Sequence, residues 1–236
     1  MPKNIILCSD GTGNADIKGR GTNVFKLFEA VDLNDHRTNP TLDAQLAYYD
    51  DGVGTGRNSL LRALGGAAGL GLKRNVKSLY KSLARVYDPG DRIYLFGFSR
   101  GAFTVRTLAG LISACGIVDG ASYPTPSALR SAVECAYRAY RSRYTSTVSR
   151  AAYSALRKPT SEAVIAAFQQ SHRVHRDVAI EFIGVWDTVD AVGMPFALAG
   201  IVNRLIYQFK FPTQSLGKNV RQACHALSID DARVAF

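Results

Sequence analysis

The pentapeptide Gly97-Phe98-Ser99-Arg100-Gly101 sets a serine between two glycines in the pattern G-x-S-x-G. Small neighbours on both sides let a chain bend sharply from strand to helix and lift the serine hydroxyl clear of the backbone. A hydroxyl held there suits nucleophilic attack on a carbonyl. The start of the following helix supplies partial positive charge and free N–H groups for the oxyanion that forms, the N–H of Arg100 among them. Such a serine also needs a base, and the base needs an orienting carboxylate. Asp187 follows the apolar run Ala179-Ile180-Glu181-Phe182-Ile183-Gly184-Val185-Trp186, which puts it just past the carboxyl end of a late strand. Asp190, three residues on, is its rival. Both aspartates can also be read as turn or N-cap residues.

Two further loops leave strand-like runs: Ser9-Asp10-Gly11-Thr12-Gly13-Asn14 and Asp50-Asp51-Gly52-Val53-Gly54-Thr55-Gly56. In a parallel sheet all such loops meet at the carboxyl edge. Asp10, Asp51, Ser99 and Asp187 are therefore expected in one crevice. The Asp10–Thr12 loop, with Gly11 permitting close approach, is placed to give a second oxyanion N–H. Tight-turn chemistry alone is the competing account of both loops.

Other chemistries fail on a missing residue. Asp10-Gly11-Thr12 lacks the preceding aspartate of a phosphoaspartyl motif, since Cys8 stands there. The stretch from Gly52 to Ser59 lacks the lysine of a phosphate-binding loop. His172 and His175 have no carboxylate or cysteine at ligand spacing, so no metal site and no cofactor are expected.

The elements that must position these groups can be read from the apolar pattern. Strands are expected at Asn4 to Cys8, Ala44 to Tyr49, Arg92 to Phe96 and Val178 to Trp186, each closed by a turn signal. Helices are expected at Asn23 to Val31, within Leu60 to Tyr87, and at Ala102 to Ile117. Alternating strands and helices predict a mostly parallel α/β sheet with helices on both faces, forming a single domain over residues 1–236. From Gly120 to Arg176 the pattern turns helical, at Ser127 to Tyr144 and Ser161 to His172. Arginines and lysine (Arg138, Arg141, Arg143, Arg150, Arg157, Lys158) alternate there with Tyr137, Tyr140, Tyr144 and Tyr153. Residues 120–176 read as a basic helical insertion, a cap, or as a solvated basic face. Asn219 to Asp231 reads as a helix.

The bulk numbers bound the rest. The chain has 236 residues, 47% of them hydrophobic, and a net charge of +10. That balance suits an anionic surface, nucleic acid or acidic lipid headgroups, without choosing between them, and equally a solvated basic face; an anionic membrane surface is the expected partner and nucleic acid is not. Cys8, Cys115, Cys135 and Cys224 have no C-x-x-C spacing and read as buried thiols in a reducing compartment. No run is long enough for a signal peptide's apolar core or a membrane span, which predicts a cytoplasmic protein.

The segments SDGTGN (Ser9–Asn14), YYDDGVGTG (Tyr48–Gly56), GFSRGAF (Gly97–Phe103), GVWDTVDAVG (Gly184–Gly193) and HALSIDDARVAF (His225–Phe236), in this order, resemble the type VI secretion phospholipase effector family. The resemblance implies an α/β-hydrolase fold, a phospholipid or other ester substrate, export by a non-classical secretion system, Ser99 as nucleophile and Asp187 as acid. It also implies a later G-x-H-S-D-V-G-G stretch carrying the catalytic histidine. This sequence has no such stretch, so a truncated chain, completed by a missing C-terminal segment or a partner protein, is expected. Of His36, His172, His175 and His225, only His225 follows Asp187 in the expected order. His225 reads either as the base or as a packing residue. Two functions follow: a serine esterase working through an acyl-enzyme, or a catalytically incomplete core that binds a partner or an anionic membrane.

Overall fold

The computed structural model describes residues 2–11, 21–52, 67–144, 159–188 and 216–229. Thr12, Asp190, Arg150, Tyr153, Arg157 and Lys158 lie outside them. Among the described residues five parallel strands form the sheet: β1 (Asn4–Ser9), β2 (Gln45–Asp50), β3 (Arg92–Phe98), β6 (Ile180–Trp186) and β7 (Val220–Ala226). Their order is β2-β1-β3-β6-β7. The chain reverses its direction of travel across the sheet between β1 and β3, and the carboxyl ends of these two strands border the crevice where open α/β sheets bind ligands.

Both faces of β1 are buried, so its residues are apolar without alternation. Ile6 and Cys8 face helix α1 (Asn23–Ala30) through Val24, Leu27 and Phe28, together with Tyr94, Phe96 and Trp186. Ile5 and Leu7 face the other way, with Ile93, Leu95, Ile183 and Val185. There they meet Val76, Leu79 and Leu83 of α3 (Ala67–Val86) and Val105, Leu108 and Ile112 of α4 (Arg100–Cys115). A short helix α2 (Asp35–Thr38) leads into β2. The expected α/β sheet with helices on both faces is what the chain forms.

Helices α5 (Pro126–Arg141) and α6 (Ser161–Ser171) supply the expected helical stretch. They join the far half of α4: Tyr140 closes on Gly110, the Cys115 thiol reaches the Ala136 carbonyl at 3.6 Å, and Gln169 Nε2 donates to the Ala114 carbonyl at 3.3 Å. Tyr137, Tyr140 and Tyr144 are buried in the core, so these tyrosines serve packing and not a surface aromatic array. A two-residue antiparallel ladder, β4 (Ile117–Val118) with β5 (Val174–His175), ties the ends of this region together. The fully buried Tyr80 hydroxyl locks that junction. It donates to the Gly116 carbonyl at 2.8 Å and accepts the Val118 N–H at 3.0 Å. Burial holds this phenol well above its ordinary pKa. Tyr80→Phe would orphan two buried backbone groups and is expected to cost about 1–3 kcal/mol in urea unfolding.

Two expectations are corrected. The segment from Asn219 to Asp231 is not a helix: Val220–Ala226 is strand β7, paired in parallel with β6. Arg, Gln and Ala favour helix locally, but pairing with β6 wins. The cysteines are not uniformly buried either, for Cys135 is half-buried and Cys224 exposed. Burial pushes the Cys8 and Cys115 thiols up to about 12, so both stay protonated.

Candidate active site

Ser99 stands between β3 and α4 with φ 54° and ψ −119°, a backbone state rarely taken by residues with a side chain. Such a state costs roughly 1–3 kcal/mol and persists only where its surroundings enforce it. Here the Ser99 N–H donates to the Trp186 carbonyl at 2.9 Å, and the Ser99 carbonyl accepts the Phe103 N–H at 3.3 Å. The flanking glycines are steric necessities. A Cβ on Gly97 would lie 2.6 Å from the Gly101 carbonyl oxygen, and one on Gly101 only 2.0 Å from that of Ser9. The first turn of α4 therefore rests directly on the turn after β1. The Ser99 side chain does not cap its helix, and the first turn carries no acidic residue. The hydroxyl is therefore not used as a helix cap, and the positive end of the helix lies at the carboxyl edge of the sheet.

Asp187 leaves the neighbouring strand β6 at the same edge, since Phe98 pairs with Trp186. Its own φ is 38°. The Asp187 N–H donates to the Ala226 carbonyl at 3.0 Å, and its Oδ1 accepts the Ser228 N–H at 2.5 Å. The chain leaving β7 therefore passes beside the Asp187 carboxylate.

Asp10, 1% exposed, directly follows β1. Its carboxylate accepts the Gly11 N–H at 2.7 Å, the Thr22 hydroxyl at 2.5 Å and the Tyr49 hydroxyl at 2.6 Å. One buried charge thus binds its own turn to the N-cap of α1 and to β2. Burial, and next the bond to Asp10, raise the Tyr49 phenol far above its ordinary pKa, so it remains a donor. The Gly11 N–H is engaged by Asp10, and an oxyanion would have to displace that bond. Gly52, at φ +82°, presses on the same turn, where a Cβ would lie 2.7 Å from the Asp10 carbonyl oxygen. Next to it Asp51 is exposed and Asp50 half-buried. Asp50 accepts from the Ser9 hydroxyl at 3.4 Å. Burial pushes its carboxyl up, partly opposed by the Gly52 N–H. Sequence reasoning misses Tyr49 and Thr22, whose only signal is their proximity to the Asp10 loop along the chain and across the sheet.

The histidines separate by position. His175 rests on Tyr87 and pairs with Ile117, beyond the end of α4. That helix has 16 residues, hence runs about 24 Å away from Ser99. His172 stacks on Phe168 of α6. His36 belongs to α2, on the amino-terminal side leading into β2. Of the four, only His225 is at the carboxyl edge, in register with Val185. Its Nε2 accepts from the Thr188 N–H at 3.3 Å and lies 3.4 Å from the Thr188 hydroxyl. Its strand is separated from β3 by β6.

The described residues hold no group of three His, Cys, Asp or Glu side chains able to bind a metal ion. Nor do they include a helix long and apolar enough to cross a membrane.

A family model described as the type VI secretion system phospholipase effector Tle1-like catalytic domain matches residues 3–236. An uncharacterised protein of Saccharomyces cerevisiae (strain ATCC 204508 / S288c) is 29% identical over 248 residues, covering 99% of this chain and 32% of the relative. The chain spans about a third of that relative's length. No solved structure matches it.

Proposed function

We propose, because the chain belongs to the Tle1-like catalytic-domain family of type VI secretion phospholipase effectors, that it is a serine hydrolase cleaving a carboxylic ester of a phospholipid. The strained, glycine-flanked turn at Ser99 carries this reading. Ser99 Oγ attacks the ester carbonyl as a base takes its proton. The N–H groups at the start of α4, Arg100 first, receive the charge on the carbonyl oxygen. The tetrahedral intermediate expels the alcohol, which takes a proton from the base, and water then releases the acid from the acyl-serine. Asp187 orients the base. Thr12 and Gly11 remain candidates for a second oxyanion N–H, and Asp10 and Asp51 for shaping the crevice. An anionic membrane surface is the setting that the +10 charge favours.

His225 is the candidate base. Its ring sits two strands from β3, about 10 Å across the sheet from the row leading to Ser99, and would have to leave Thr188 to serve. His225→Gln is expected to lower ester hydrolysis at least about 10³-fold, with the loss read at pH 6 to 9. Hydrolysis equal to wild type would remove His225 from the mechanism.

That same engagement of Nε2 by Thr188 favours a second reading, an incomplete core whose base comes from outside these 236 residues. A fluorophosphonate probe separates the two. Covalent labelling mapped to Ser99 by peptide mass supports a working nucleophile, and absence of labelling in folded protein supports the incomplete core.

A further inference from the structure

Arg100 follows the proposed nucleophile directly as the first residue of α4, and its side chain is half-buried. Burial depresses its guanidinium below the usual range, with no neighbouring charge opposing the shift. Among the described residues, no carboxylate, carbonyl or ring meets this guanidinium. A planar cation with five N–H donors is costly to withdraw from water without an acceptor. Asp10, on the adjoining turn, shows how this fold treats a buried charge it means to neutralise: three donors converge on it. The first turn of α4 adds a second positive element and no acid to offset it.

We propose that the Arg100 side chain binds the phosphate of the substrate's headgroup and so selects phosphate-bearing esters over neutral ones. The inference rests on the Ser99 reading for its geometry. With the scissile carbonyl at Ser99, the phosphate of a glycerophospholipid is a short run of glycerol bonds away. Arg100 starts one residue from the nucleophile, about 3.8 Å between Cα atoms, with a long side chain to cover that interval. Its fork matches two phosphate oxygens at once, which a lysine does not. The backbone N–H of Arg100 and its side chain then divide the labour, one holding the carbonyl oxygen and the other the phosphate. A neutral diacylglycerol leaves the guanidinium in its present unpaired state and gains nothing from it.

Binding in a Ser99→Ala background tests this without turnover. The protein, its Arg100→Gln variant and its Arg100→Lys variant are titrated calorimetrically with monomeric dihexanoyl phosphatidylglycerol and with dihexanoyl glycerol. The parent is expected to prefer the phospholipid. Arg100→Gln should reduce that preference about tenfold or more, and Arg100→Lys should reduce it by less. An unchanged ratio of the two affinities in either folded variant, or equal affinities in the parent, would overturn the proposal. Near-ultraviolet circular dichroism identifies a variant that has lost its fold, in which case the other variant decides. Glycerol 3-phosphate should compete for the phospholipid site better than inorganic phosphate. Equal competition would overturn the headgroup assignment and leave a site for free phosphate. Failure of the Ser99 reading is separately visible as ester hydrolysis retained in Ser99→Ala.

Discussion

Ser99→Ala is expected to lower ester hydrolysis by at least about 10³-fold and to leave thermal stability almost unchanged. The two halves of this result have different causes. The hydroxyl makes no capping bond to its own helix, so its removal costs α4 no cap. The turn is enforced by backbone groups instead: Ser99 N–H on the Trp186 carbonyl and Phe103 N–H on the Ser99 carbonyl. Alanine keeps the positive φ and its strain. Glycine relieves that strain but loses more entropy on folding, so Ser99→Gly should melt at or slightly above wild type while being equally inactive. Hydrolysis of short-chain phosphatidylglycerol and calorimetric melting, measured on the same preparations, check both halves. A large stability loss in Ser99→Ala would mean that the hydroxyl is a structural group. Undiminished hydrolysis would remove it from catalysis.

Near Ser99, much of the arrangement is legible in the sequence because local chemistry and the global fold agree. The runs ending at Cys8, Tyr49, Phe96 and Trp186 are apolar, and each ends in a turn signal at one sheet edge; β1 is buried along both faces, β3 alternates buried and half-buried residues, and the edge strand β2 is half-buried throughout. The observed strands extend one or two residues past three of these limits, to Ser9, Asp50 and Phe98, since pairing with neighbours continues after hydrophobicity stops. Strand β7 is hidden because its sequence is that of an exposed helix. Arg221, Gln222, Ala223 and Ala226 have weak strand preference, and only β6 as a neighbour makes them a strand. The same disguise misplaces His225, which reaches the crevice edge through its register with Val185. The Tyr49–Asp10–Thr22 connection is invisible for another reason. It joins Asp10 to residues 12 and 39 positions further along the chain, and hydrogen-bond partners at such separations leave no periodic trace.

Among the described glycines at the carboxyl edge of the sheet, Gly101 is expected to tolerate an added methyl group least. The new Cβ would lie 2.0 Å from the Ser9 carbonyl oxygen, 2.5 Å from the Ser9 carbonyl carbon and 2.6 Å from the Asp10 carbonyl oxygen. All three are backbone atoms, so no side chain can swing aside. The β1 turn cannot retreat cheaply, because Asp10 is tied to Gly11, Thr22 and Tyr49 and because Gly52 closes on its other side. Helix α4 cannot retreat without pulling Ser99 from the Trp186 carbonyl. Overpacking of a core usually costs about 1–3 kcal/mol. With both partners braced, a loss above about 3 kcal/mol is expected, a large part of the total stability of an ordinary domain. Gly90→Ala is the matching control. That glycine has φ +101°, yet nothing lies within 4 Å of an added Cβ, so only backbone strain of about 1–2 kcal/mol applies. Urea unfolding of the two variants beside wild type measures the difference. If Gly101→Ala unfolds at the same urea concentration as Gly90→Ala, the β1 turn yields freely, and the bracing assigned to Asp10 is wrong.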